Sequence, residues 1–413
     1  MILNSIEYRN SFSPLLAGED SEHQSQEMLA RIVLSFLCEP GDRWSGALAS
    51  EVSASVLVEK VLARADWSEL SDALSRHSVE NLGETFGVNL AATWAESLQR
   101  WTPRLSKQTF IESLNWMIEQ VRVTGMAHWL APADSSLYPP VFDAIEWGRP
   151  HALWGMGRAE VLAQPSAVAI VGARVASRYG VEVARDLAIV AAGSNLVTVS
   201  GGAYGIDEAV HTTSVKMESP TVSYMAGGLA NLYPRGNQQL LLSIAKKGAV
   251  VTEMAPWVVP AKWRFLMRNR LIAAHGKATV VVEAGQTSGA LKTARYALDF
   301  DRPVAVIPGP ISSARSAGCH DLLNDNLGQV SLIARPQEIL RLVGISSETR
   351  SDSIGIGSLE RRALDSFQTG SLEAWEVQRL AGLTVVETQI ALGSLELHGL
   401  VERVGTRYLR SRN

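Results

Sequence analysis

The chain has 413 residues, of which 46 % are hydrophobic and 19 % charged, so it is too long for one compact core and too apolar to be disordered as a whole. Its two cysteines, Cys38 and Cys319, exclude a disulfide framework and a Cys-rich zinc site, and point to a reducing, cytoplasmic compartment. The formal charge of −4 argues against nucleic acid only until it is divided: residues 1–130 carry 10 basic and 17 acidic side chains, residues 131–345 carry 20 and 16, and residues 346–413 carry 8 and 9.

The opening MILNSIEYRN meets Glu7 before any apolar run, which speaks against a signal peptide. No stretch of eighteen apolar residues occurs, which speaks against a membrane span. Residues 1–130 are expected to form an N-terminal helical domain of the SAM or helix-hairpin-helix kind. Met28, Leu29, Ile32, Val33 and Phe36 share one helical face, and Val56, Leu57 and Val61 mark another helix with Lys60 and Arg64 on its polar edge. Trp44, Trp67, Trp94, Trp101, Trp116 and Trp129 are read as core or groove fillers of that domain.

Residues 131–345 alternate apolar β-rich runs with helical stretches. Strands are expected at Ala167–Val171, Leu196–Val199, Thr221–Met225, Ala249–Thr252, Ala278–Glu283 and Val304–Ile307. Helices are expected at Arg178–Ala192, Ile206–Lys216, Asn237–Lys247, Trp263–His275 and Ser288–Phe300. The alternation predicts an α/β fold: an extended, Rossmann-like, doubly wound parallel sheet with right-handed crossovers. A Ser- and Gly-rich linker follows at 346–357. Residues 358–413 are expected to form a C-terminal winged helix, with helices at Glu360–Phe367, Leu372–Ala381 and Val386–His398 before a small hairpin around Gly405.

In such a sheet a ligand lies past the carboxyl ends of the strands. Glycine recurs there, in Gly172, Gly201-Gly202, Gly227-Gly228, Gly285 and Gly309. The run suits close backbone approach to a phosphate, although turn geometry alone also favours glycine. The first loop reads G-A-R-V-A-S, not G-x-G-x-x-G, and no G-x-x-x-x-G-K-[ST] occurs, so neither a dinucleotide turn nor a P-loop is supported. Arg174 in that loop suits a phosphate.

The segment Ala261–Arg270 interleaves Lys262, Arg264, Arg268 and Arg270 with Trp263 and Phe265, and no acid lies between Glu253 and Glu283. Cations with aromatics suit a nucleic-acid backbone with bases free to stack; the alternative is a solvated helix face. Asp207 and His211 stand four apart on one helix, a spacing open to acid–base or metal chemistry, but without a third ligand they read as a helix-capping Asp and a hydrogen-bonded His. Ser200 lies in V-S-G-G rather than a G-x-S-x-G elbow, which argues against a nucleophile. No metal site, cofactor or catalytic constellation is expected.

Six motifs come in order: V-G-A-R-x-x-S-x-Y-G (Val171–Gly180), S-G-G-A-Y-G-I-D-x-x-x-H (Ser200–His211), Y-P-R-G-N (Tyr233–Asn237), F-x-x-R-N-R-x-I-A (Phe265–Ala273), V-V-E-A-x-x-x-S-G-A-L-x-T-A (Val281–Ala294) and V-x-P-G (Val306–Gly309). Together they resemble the DprA/Smf family of bacterial DNA-processing proteins over roughly Leu130–Leu332. The resemblance implies a non-catalytic protein that binds and protects single-stranded DNA, forms a homodimer through the Rossmann-like domain, and loads the RecA recombinase in natural transformation. It implies DNA-binding residues at Gly172, Arg174, Ser177, Ser200, Gly201, Gly202, Lys262, Arg264, Arg268, Asn269, Arg270, Ser288 and Gly289. Two places depart from the family pattern. Ala203-Tyr204 stands where many members have Ala-Arg, and Cys319-His320 stands where many have Thr-Asn.

Two rival functions fit the residues less closely. A nucleotide-processing enzyme of the lysine-decarboxylase-like phosphoribohydrolase kind lacks its P-G-G-x-G-T-x-x-E run here. A duplex-DNA regulator acting through the C-terminal domain would present Val386–His398, which carries Glu387 and Glu396 and no Lys or Arg. A protein-interaction role suits that domain more closely.

Overall fold

In the computed structural model the described residues are Leu15, 22–104, 107–345, 357–367 and 370–411. The chain divides into two compact units, residues 1–346 and 347–413. The expected linker at 346–357 lies, up to residue 356, outside the described residues.

The first unit opens with helices α1 (Glu22–Leu37), α2 (Arg43–Glu51), α3 (Ala54–Ala63), α4 (Trp67–Ser71), α5 (Arg76–Phe86), α6 (Leu90–Trp101) and α7 (Lys107–Thr124). Local chemistry sets their ends. Asp42, Ser53, Ser75 and Asn89 cap α2, α3, α5 and α6 by accepting backbone N–H bonds. Asp66 and Glu69 form a reciprocal capping box on α4.

A nine-stranded sheet follows. Its strands are β1 (His128–Pro132), β2 (Ala152–Gly157), β3 (Ala167–Val171), β4 (Val197–Ser200), β5 (Thr221–Tyr224), β6 (Ala249–Thr252), β7 (Ala278–Val281), β8 (Val304–Val306) and β9 (Val330–Leu332). The order is β1-β2-β6-β5-β4-β3-β7-β8-β9. All neighbours from β6 to β9 are parallel, while β1–β2 and β2–β6 are antiparallel. The doubly wound α/β fold is therefore present, extended at one edge by an antiparallel pair. That pair, β1 and β2, lies outside the six strands expected from the sequence. Gly155 and Gly157 lower the strand propensity of β2, yet Gly155 is the register partner of Trp129 and leaves the space its indole fills.

Side chains alternate across the pleat. Val168 and Ile170 of β3 pack with Leu187 of α8 (Arg178–Gly193) and Val210 of α9 (Ile206–Lys216). Ala169 and Val171 face the opposite layer, where Leu271 and Ile272 of α11 (Lys262–His275) and Leu291 of α12 (Gly289–Asp299) are buried. Between α9 and α11, α10 (Gln238–Lys247) contributes Leu241 and Ile244 to a third cluster.

That third cluster changes the reading of the N-terminal segment. Leu29, Ile32, Val33 and Leu37 of α1 share one core with Leu130 of β1, Trp154 of β2 and Val250 of β6. The helices are a layer laid on the sheet, and the expected boundary at 130/131 falls inside β1. Trp44, Trp94 and Trp101 are buried in this core, whereas Trp129 belongs to the sheet.

The sheet unit ends with α13 (Ala317–Asp325) and α14 (Glu338–Leu342). The second unit contains α15 (Ser358–Asp365), β10 (Leu372–Glu373), α16 (Ala374–Ala381), α17 (Val385–Leu397) and the hairpin β11 (Val401–Val404) and β12 (Arg407–Arg410). The stretch read as a helix from Leu372 is a short strand paired with β12, after which Glu373 and Glu376 box the start of α16. Among the described residues no single helix is long and apolar enough to cross a membrane.

Candidate functional site

The strand numbers run in one direction from β3 to β6 and in the other from β7 to β9, so the order reverses between β3 and β7. Loops leaving a parallel sheet on opposite sides part there and leave a crevice. A cleft of about 1080 Å³ occupies this place. Residues 171–175 at and after the end of β3 form one of its walls, Gly285, Thr287 and Ser288 after β7 a second, and α11 a third.

α11 distributes its charges over three sides. Lys262, Phe265, Leu266, Arg268, Asn269 and Ile272 line the cleft. Arg264 turns away and grips Glu39 with two bonds of 2.9 and 3.1 Å; Arg104 meets the same carboxylate at 2.7 Å. Arg270 turns into the core, forms a two-pronged pair with Glu253 at 2.6 Å, and donates to the carbonyl of Gly148. The acid-free run in sequence thus receives its counter-charges through the fold. Arg264 and Arg270 hold α11 in place and lie outside the cleft.

Arg268 lines the cleft while only 6 % exposed. Its Nη1 donates to the carbonyls of Gly201, at 2.9 Å, and Tyr224, and its Nε donates to Asn269 Oδ1 at 3.2 Å. Nη2 has no acceptor among the described residues. Burial lowers the guanidinium to about 10, so it stays protonated at neutral pH. Asp207, the acid of the cleft, is raised by its own burial, an effect opposed by Arg268; its Oδ2 accepts from the N–H groups of Gly201 and Ala203. Asp207 is therefore committed to shaping the loop after β4.

The glycine run has mainly a packing origin. A Cβ on Gly172 would stand 2.6 Å from Ile206, and one on Gly201 would stand 2.6 Å from Arg268 Nη2. Gly205 has φ +81° and sits against the carbonyl of Ala173. Gly289 differs. Its nearest neighbour from a Cβ would be Asn269 Nδ2 at 4.0 Å, and it opens onto the cleft.

Apart from Arg264 and Arg270, which lie outside the cleft, the expected site residues separate into two groups. Gly172, Arg174, Lys262, Arg268, Asn269, Ser288 and Gly289 line the cleft. Ser177, Ser200, Gly201 and Gly202 stand behind it. Ser177 caps α8 and donates its N–H and hydroxyl to Glu283; Ser200 donates to the carbonyl of Ile170. Sequence reading missed Lys292 and Arg315, which also line the cleft. Lys292 stood in a variable position of a recognised motif, and Arg315 in a loop with no motif.

Arg174, Lys262, Lys292 and Arg315 are exposed and form no ion pair among the described residues. The Arg174 guanidinium lies 5.3 Å from the centroid of the Phe265 ring, and Lys292 Nζ lies 4.8 Å from that of Tyr296. The histidines do not join them. His211 is buried on Thr221 and driven down to about 3, and His275 is buried on Tyr224 and driven down to about 4. The two places that depart from the family pattern have internal partners. Tyr204 accepts a bond from the Gly236 N–H, and His320 Nε2 lies 3.2 Å from the carbonyl of Gly309.

The family described as DNA recombination-mediator protein A matches residues 129–344, a span that contains the whole nine-stranded sheet except the first residue of β1. The chain belongs to that family. Among curated members of it, a putative DNA processing protein DprA of Mycobacterium tuberculosis is 42 % identical over 246 residues, which cover 59 % of this chain and 61 % of that protein. Protein Smf of Escherichia coli is 36 % identical over 214 residues, covering 52 % and 56 %. The chain thus spans less than two thirds of the length of these curated relatives. The X-ray structure of DNA processing protein A from Streptococcus pneumoniae matches with a TM-score of 0.56 at 24 % identity, over 76 % of this chain and 96 % of that one, which is a likeness of fold. Membership in the DprA/Smf family, read from six short motifs, is confirmed.

Proposed function

We propose that the chain binds single-stranded DNA in this cleft without cleaving it, and passes the strand to a recombinase of the RecA class. The observation that carries the reading is the combination, in one crevice, of four exposed cations that form no ion pair among the described residues with a half-buried aromatic ring and a buried arginine donor. Cations answer successive phosphates, and a ring such as Phe265 can stack only on a base that a duplex does not hide. Arg174, Lys262, Lys292 and Arg315 are the proposed phosphate contacts; Gly172, Asn269, Ser288 and Gly289 supply polar backbone and side-chain groups; Arg268 supplies Nη2. Ser177, Ser200, Gly201, Gly202, Arg264 and Arg270 support these from behind. The non-catalytic part is supported by the engagement of Asp207, Glu283 and His211 inside the fold. The recombinase is supported by the recombination-mediator family, and a homodimer by the resemblance to DprA/Smf proteins.

Mobility shifts with single- and double-stranded oligonucleotides across a salt series test the reading. Preference for the single strand, with a salt slope that falls in Arg174→Ala, is expected. A salt-insensitive complex, equal duplex binding, or release of free base from a nucleoside monophosphate overturns it. Light scattering tests the dimer, and strand exchange on a covered single strand tests delivery to the recombinase.

A further inference from the structure

Two of the six motifs contribute nothing to the cleft lining, Val306–Gly309 and the turn Tyr233-Pro-Arg-Gly-Asn237, and the second packs against the cleft residue Phe265. Its aromatic ring continues a row that begins inside. Arg174 lies over Phe265, and the Phe265 ring centroid lies 5.5 Å from that of Tyr233, with the planes tilted by 56°. Tyr233 is 44 % exposed.

Against the same turn stands Tyr204, 46 % exposed, with its ring on Gly236. A Cβ on Gly236 would approach the Tyr204 hydroxyl oxygen to 2.5 Å, and the Gly236 N–H donates to that oxygen at 3.2 Å. Arg235 projects from the same turn, exposed and without an ion-pair partner among the described residues. The turn itself is anchored. Asn237 Nδ2 donates to the carbonyls of Gly202 and Ala203 at 3.1 and 3.3 Å, which ties it to the loop after β4.

Single exposed rings are ordinary on a protein surface. Here two exposed tyrosines flank an unpaired cation on an anchored base, and the row is continuous with the cation-lined cleft. Rings alternating with cations match a polymer of flat bases and anionic linkages. We infer that the Tyr233–Gly236 turn is a shelf on which a single strand leaving the cleft continues, with bases stacked on Tyr233 and Tyr204 and a phosphate on Arg235. This rests on the reading that the cleft holds single-stranded DNA.

The test is fluorescence anisotropy with labelled oligothymidylates of about 5 and about 20 nucleotides, the shorter filling the cleft and the longer also reaching the shelf. Tyr233→Ala and Tyr204→Ala are expected to weaken the longer oligonucleotide about tenfold and the shorter less than about twofold, the loss of one base–aromatic stack. Tyr233→Phe keeps the ring and is expected to bind both like the unaltered chain. Arg235→Ala is expected to reduce the salt slope for the longer oligonucleotide alone. Unchanged affinity for the longer one in both alanine variants overturns the shelf, and so does an equal loss at both lengths, which would mark a purely structural role. Failure of the cleft reading looks different: the unaltered chain binds neither length, or Arg174→Ala binds both as well as it does.

Discussion

The Arg268 guanidinium occupies the space that a side chain on Gly201 would need, with Nη2 2.6 Å from the position of a Cβ there. A glycine in one loop and a cation on a distant helix are thus one arrangement. Gly201→Ala must push Arg268 off the carbonyls of Gly201 and Tyr224. The expected outcome is a stability loss of about 1–3 kcal/mol, the usual cost of overpacking, together with weakened binding of single-stranded DNA. Thermal melting and anisotropy on the same preparation check both.

The four exposed cations are expected to act by charge. Arg174→Ala and Lys262→Ala should each reduce the slope of log affinity against log salt by about 0.7, the single-strand value for one phosphate contact. Their melting temperatures should stay within about a degree or two of the unaltered chain, because neither side chain is buried or ion-paired. A salt titration of each variant reads the slope directly.

Arg270 should behave in the opposite way. Its pair with Glu253 is buried on both sides, so Arg270→Ala leaves an uncompensated carboxylate and should cost about 3–5 kcal/mol. The salt slope of the fraction that remains folded should not change. Urea unfolding combined with binding at low temperature separates the two effects.

The buried histidines predict an acid-labile fold. His211 titrates near 3 and His275 near 4 in the folded chain, against about 6.5 when unfolded, and burial is the first cause in each. The unfolded chain therefore binds more protons between these values. Their contribution is complete above about pH 6.5 and is lost as the pH falls toward 4 and then 3. Unfolding free energy measured from pH 8 to 4 should decline, and His211→Gln should flatten the lower part of the curve. DNA binding between pH 7 and 8 should be unaffected, since neither ring lines the cleft.

Much of this was legible in the residues. The parallel core announced itself because β3 to β8 are short apolar runs, each closed by a loop or turn and separated by helices of regular period. Arg174 and Lys262, expected as site residues, line the cleft, each beside further lining residues of its own segment, Gly172 and Ala173 for the first and Phe265 and Leu266 for the second. Arg264 and Arg270, expected likewise, do not. Their acids, Glu39 and Glu253, come from a helix-end loop and a strand end, and nothing in the 261–270 segment marks which cation will be claimed. The edge pair β1–β2 escaped for a related reason. A glycine-containing strand is disfavoured locally and becomes favourable only when Trp129 fills the space above Gly155.

The core shared by α1 with β1, β2 and β6 has a consequence for where this molecule can be cut. The stretch that marks the family begins at Trp129, yet the apolar face of Leu130, Trp154 and Val250 is roofed by Leu29, Ile32 and Val33, and α11 is tethered from behind through Arg264 to Glu39. Severed at the family boundary, the sheet would lose its roof and the cleft helix its tether. Kinship and packing have different borders in this chain: the segment that declares its ancestry is shorter than the compact unit it belongs to.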